Sequence, residues 1–165
     1  MGRIGATWGV AGTVAILAFA VWRLSAIAWE GFQYPFGASH WLLLIGNVAF
    51  MSYFEGFRGF QQGYSPRVAA RAQLLKAKPT LLRVVLAPLF CMGYFGAERR
   101  RLVATYALTT GIVLLITIYQ TIPQPWRGIL DVGVVVGLAW GIVSIVAFSV
   151  RALFETRAVT ECPQR

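Results

Sequence analysis

Apolar residues in this chain come in long runs, not in the alternation of a half-buried strand or the three-and-four spacing of a surface helix. The runs cover about residues 4–28, 40–57, 102–122 and 129–150. A helix needs roughly 20 predominantly apolar residues to cross the hydrocarbon of a bilayer. Runs of that length, apolar all round, predict helices that face lipid or one another. The breaks between them are sharp. Gly31, Pro35 and Gly37 interrupt the loop after the first run, and Pro123-Gln124-Pro125-Trp126-Arg127-Gly128 reads as a tight turn before the fourth.

Residues 58–101, between the second and third runs, follow a different pattern. Ser65-Pro66 reads as a helix start, with Ser as N-cap and Pro in the first turn, and Lys78-Pro79 as a stop. Within that stretch Val68, Ala72 and Leu75 share a face opposite Arg67, Arg71 and Lys78. This predicts a short amphipathic helix lying on the membrane surface. From Val84 to Ala97 follows an apolar run of about 14 residues, broken by Pro88, Gly93 and Gly96. That is short for a span. It predicts a re-entrant or interfacial hairpin, with a shortened fifth span as the rival reading.

Charge turns these runs into a topology. Of the 15 Lys and Arg residues, nine (Arg58, Arg67, Arg71, Lys76, Lys78, Arg83, Arg99, Arg100 and Arg101) fall inside this one insert. Membrane proteins keep their basic loops in the cytoplasm. With four spans both termini and the whole insert are cytoplasmic, and only Arg23 and Arg127 lie outside. If 84–97 crossed, Arg99 to Arg101 would be outside as well. The expected fold is therefore an all-α integral membrane protein, one membrane domain over residues 1–165, with four transmembrane helices and a basic cytoplasmic insert. A bacterial inner (plasma) membrane fits the size and the charge rule. Arg3 ahead of the first run and Ala18-Phe19-Ala20 resemble a cleaved leader, but apolar residues continue through Trp22 and Ala26-Ile27-Ala28, which favours an uncleaved span.

Composition supports this class. Only 13% of residues are charged, against about 25% in soluble domains, and the mean hydropathy is +0.65. The net charge of +9 and pI near 10.4 would otherwise point to nucleic acid. The cytoplasmic bias already accounts for that excess, so no nucleic-acid partner is expected; anionic lipids are. Trp8, Trp22, Trp29, Trp41 and Trp126 stand near run ends, where aromatic residues anchor helices at the interface.

Candidate chemistry is sparse. Cys91 and Cys162 form no CxxC pair, and His40 is the single histidine, so no metal or haem site is evident. The densest polar motif runs from Tyr53 to Arg67. Wound as an α-helix, it would carry an aromatic stripe (Tyr53, Phe57, Phe60, Tyr64), a flat stripe (Gly56, Gly59, Gly63) and a polar stripe (Glu55, Arg58, Gln62). Three glycines cost about 1 kcal/mol each in helix propensity, so close helix packing or a bound headgroup should offset them. The bland reading is helix packing with Glu55 and Arg58 paired at i, i+3. In the functional one, Glu55 is a candidate general base at the lipid boundary, while Arg58, Gln62, Arg67 and Arg71 hold a phosphate or lipid headgroup. No second carboxylate completes a catalytic set. A GxxxGxxxG ladder (Gly133, Gly137, Gly141) marks a close helix contact within the chain, with a second copy, or with another protein.

These features favour a non-catalytic subunit or assembly factor of a larger membrane complex, bound to another membrane protein or to its own copy. The alternative is an enzyme or binding protein for a lipid or isoprenoid phosphate at the cytoplasmic face. A small transporter is a further alternative, though the runs offer few polar residues to line a path.

Overall fold

The computed structural model describes residues 2–154, so Cys162, Arg157 and Arg165 lie outside the described residues. All regular structure is helical, with no strand among the described residues. In chain order the helices are α1 (Gly2–Gly31), α2 (Ala38–Met51), a π-helical segment (Ser52–Tyr64), α3 (Ser65–Ala77), α4 (Leu81–Val85), α5 (Ala87–Met92), α6 (Arg99–Tyr119) and α7 (Trp126–Phe154). Three of them, α1, α6 and α7, are long and apolar enough to cross a membrane.

The expectation of a separate surface helix starting at Ser65 is not met. Ser52, Tyr64 and Ser65 all keep right-handed helical dihedrals, so α2, the π segment and α3 form one helix from 38 to 77. Nor does it leave the bundle near residue 57. Asn47 meets Gly133, Glu55 meets Gly137, Phe60 meets Gly141, and the Lys76 ammonium donates to the Leu153 carbonyl at 3.1 Å. The helix therefore runs parallel to α7 along almost its full length. Its amphipathic part was legible in the sequence, because Val68, Ala72 and Leu75 are fully buried. That face packs on α1 and α7: Val68 and Ala72 form a core with Ala6, Cys91 and Ile145, and Leu75 a second one with Ala87 and Phe90.

The π winding has a local cause. Glycines at 56, 59 and 63 weaken the preference for α-helix. Pro66 lacks an N–H, and in an α-helix its ring presses on the carbonyl four residues back. Wider i→i+5 turns ahead of the proline relieve that contact.

α1 is antiparallel to both neighbours. Gly2 abuts the Lys76 backbone at one end, and Gly31 abuts Gly128 at the other. Along its first turns, Gly5 receives Val84, Gly9 receives Ala87 and Cys91, and Gly12 receives Pro88. Thus α4 and α5 lie along α1 and bury Ala87 and Phe90. Cys91 is buried among these helices, as an apolar filler would be. At the opposite end Gln124 links two helices: its Nε2 donates to the Ile27 carbonyl at 3.4 Å, and its Oε1 accepts from Gly128 N–H at 3.0 Å. His40 belongs to this end too. Its Nδ1 accepts from Gly37 N–H at 3.0 Å, and its ring lies 4.5 Å from Trp126. α6 has no buried residue and is tied to the 93–95 turn at its first turns, where Tyr94 Oη and Thr109 Oγ1 lie 2.7 Å apart.

Candidate functional site

The polar motif lies along the middle of the helices, not at the end of one as its sequence suggested. At a rise of about 1.5 Å per residue, Gly137, the neighbour of Glu55, is about 14 Å from Gly128 and about 24 Å from Leu153. Gly141, the neighbour of Phe60, is about 20 Å from one and 18 Å from the other. Glu55, Arg58, Gln61 and Gln62 therefore occupy the middle of the bundle's height. The depth comes from the continuation of the helix: residues read as cytoplasmic are still travelling alongside α7.

The π winding also redistributes the stripes expected of an α-helix. Glu55 is half-buried and turned toward α7, where a Cβ on Gly137 would lie 2.7 Å from its Oε2. Arg58 is exposed on another face. The expected Glu55–Arg58 ion pair does not form, because three residues along a π-helix do not bring side chains together as they do along an α-helix. Tyr53, Phe54 and Phe57 are exposed, whereas Phe60 and Tyr64 turn into the core. Of the three motif glycines only Gly56 touches another helix: a Cβ there would lie 3.0 Å from Trp140 Cγ. Gly59 and Gly63 have only their own helix nearby. Gln62 and Arg67 are exposed, and Arg67 Nε donates to the Gly63 carbonyl one turn back.

The ladder on α7 is occupied from within the chain. Gly133, Gly137 and Gly141 are buried and receive Asn47, Glu55 and Phe60 in turn. Asn47 Nδ2 donates to the Ile129 carbonyl at 2.9 Å and to that of Leu130 at 3.2 Å. Trp140 Nε1 donates to Gln61 Oε1 at 2.9 Å, a contact no sequence signal announced. Asp131 is buried near the 123–128 turn with its Oδ2 3.8 Å from Arg127 Nε, the one ion pair among the described residues.

Arg71 belongs to a different group from Arg58. Its Nη1 donates to the Phe90 carbonyl at 2.6 Å and the Phe95 carbonyl at 3.2 Å, closing the C-terminal end of α5. Its guanidinium lies 5.2 Å from the Phe90 ring centre and that of Arg83 lies 5.5 Å from it. Gly93, with φ of +97°, sits between Arg71 and Thr105 of α6. Arg101 stands in the first turn of that same helix, its carbonyl accepting from Thr105 Oγ1 at 3.0 Å. Sequence spacing could not reveal this meeting of α3, the 93–95 turn and α6. The positive φ of Gly93 was its only local signal, and that shows only once the turn is folded. No group of three His, Cys, Asp or Glu residues able to hold a metal occurs among the described residues. Comparison of the chain with protein-family models, curated proteins and solved structures finds no match.

Proposed function

We propose that this chain is a non-catalytic subunit or stabilising factor of a larger membrane complex, and that its π-helical face is where a partner helix docks. The supporting observation is Arg58. It is exposed, sits at mid-height of the bundle, and has no carboxylate within ion-pair reach among the described residues. An arginine at the centre of a spanning helix costs about 2.5–3.5 kcal/mol on insertion scales. Its neighbourhood lies roughly 18–20 Å from either end of the bundle at the α-helical rise, farther than its side chain extends. A partner helix with an acidic or carbonyl acceptor at the same depth would satisfy it. The uncovered α6 supplies a second unpartnered surface.

In this reading the chain crosses a cytoplasmic (inner) membrane four times, with both termini and residues 78–101 inside; residues 58–77, read from sequence as part of the basic insert, belong to a crossing. The helix from 38 to 77 is the second crossing. The α4–α5 segment is a re-entrant hairpin: Pro88 contacts Gly12, about 15 Å along α1 from Gly2, and α6 sets out from the end where the hairpin began.

The test is gentle extraction of the tagged protein from its own membrane, followed by native mass spectrometry. Stoichiometric protein, whether another chain or a second copy, is the expected result. Arg58→Leu should abolish that association while leaving the isolated chain as stable as before, because it removes a charge from an apolar setting. A wild-type chain that emerges alone with lipid, or an assembly indifferent to Arg58→Leu, overturns the proposal.

A further inference from the structure

Nine cations and one carboxylate, Glu98, occupy residues 58–101. None of these cations has an ion-pair partner among the described residues. Packing then forces several of them together. Arg71 is half-buried; Arg67 precedes it by one turn on the same helix, Arg83 shares the Phe90 ring with it, and Arg101 stands one turn before Thr105, which flanks Gly93 together with Arg71. Only its Nη1 is engaged, leaving Nε and Nη2 without a partner among the described residues. The guanidinium is held rigidly by two carbonyls on one side and by the Phe90 ring on another. Like charges gathered by packing repel, and a fixed guanidinium with spare donors is poised to bind an anion.

The surroundings favour a phosphate over a carboxylate. Arginine forks match phosphate oxygens bidentately, and several can share one group. A carboxylate presents two oxygens and one charge, too few for three guanidinium groups. The turn between α5 and α6 adds backbone donors. The N–H groups of Phe95, Gly96, Ala97 and Glu98 have no backbone partner among the described residues, and they lead into the N-terminus of α6, where a helix favours negative charge. Gly93 leaves bare backbone beside Arg71, and a side chain there would fill that space.

We propose that Arg67, Arg71 and Arg101, gathered around Gly93, bind a phosphate group. This site is distinct from the mid-height face around Arg58 and does not depend on the subunit reading. It drops Arg58 and Gln62 from the phosphate-binding set that sequence alone would draw, and it adds Arg101. Arg71 is the anchor, positioned by α5. Arg67 and Arg101 close over the anion from two different helices.

The experiment uses the full chain in detergent and measures binding of phosphatidylglycerol, of diacylglycerol with the same acyl chains, and of inorganic phosphate. Binding of phosphatidylglycerol but not inorganic phosphate would identify a lipid headgroup as the source; binding of both would identify the phosphate alone as sufficient. Either result requires that diacylglycerol bind at least about tenfold more weakly than phosphatidylglycerol. Arg101→Gln is the decisive variant, because Arg101 is exposed and its loss leaves the packing intact. It should weaken binding about tenfold, the size of a lost charge-assisted hydrogen bond, without lowering the melting temperature. Unchanged affinity in Arg101→Gln, or equal binding of diacylglycerol and phosphatidylglycerol, overturns the proposal.

Discussion

Gly137 and Asn47 both make close contacts across the bundle, and each makes a separate demand. A side chain on Gly137 would collide with the Glu55 carboxylate and its stem. Gly137→Leu should therefore destabilise the isolated chain by about 1–3 kcal/mol, the usual cost of overpacking. Thermal unfolding in detergent would show this as a lower melting temperature, with no partner present. Read from sequence alone, the same substitution would test release from a complex; with the ladder filled by Asn47, Glu55 and Phe60, it tests the fold. Asn47→Leu removes two hydrogen bonds to α7. Interhelical hydrogen bonds in membrane proteins contribute about 0.6 kcal/mol on average and up to about 1.7. A loss in that range is expected, and no change would mean water or another donor replaces the amide.

The helix from 38 to 77 shows how one element can look like three in sequence. Its apolar part ends near Met51, its glycines and polar residues suggest a boundary, and Ser65-Pro66 resembles a new start. Helical dihedrals nonetheless continue through both junctions. Neither junction ends the helix, because α7 offers a glycine face on one side and α1 a small-residue face on another. α6 is the reverse case. Its apolar character was fully legible, but nothing in its sequence says that its own chain leaves it uncovered. Leu114→Trp on α6 should leave the stability of the isolated chain within about 0.5 kcal/mol of wild type, as expected of a site without intramolecular neighbours. A larger drop would mean that α6 packs on the bundle in solution.

At the scale of the molecule, the number of crossings is set by where α4 and α5 leave the chain. α1 and α6 run one way, and the 38–77 helix and α7 run the other. If α4 and α5 return to the side they left, Lys78→Cys and Arg100→Cys, in a background lacking the native cysteines, should both react with a membrane-impermeant reagent only from the cytoplasm. Labelling of Arg100→Cys from outside alone would establish a fifth crossing.

The sequence by itself determined the all-helical class, the three longest apolar helices and the concentration of cations in one insert. Each is a one-dimensional quantity, a run length or a charge count. It also marked Val68, Ala72 and Leu75 as one apolar face and Gly133, Gly137 and Gly141 as a close-contact ladder, since helical period alone places such residues together. Only the tertiary structure decided what covers those faces, where along the bundle Glu55 and Arg58 lie, and that Arg71 and Thr105 of α6 come together at the Gly93 turn. Those outcomes depend on the winding of residues 52–64 and on which helices run alongside one another. A shift from i→i+4 to i→i+5 changes which side chains share a face, and packing against α7 sets the depth of the polar motif; neither follows from local pattern.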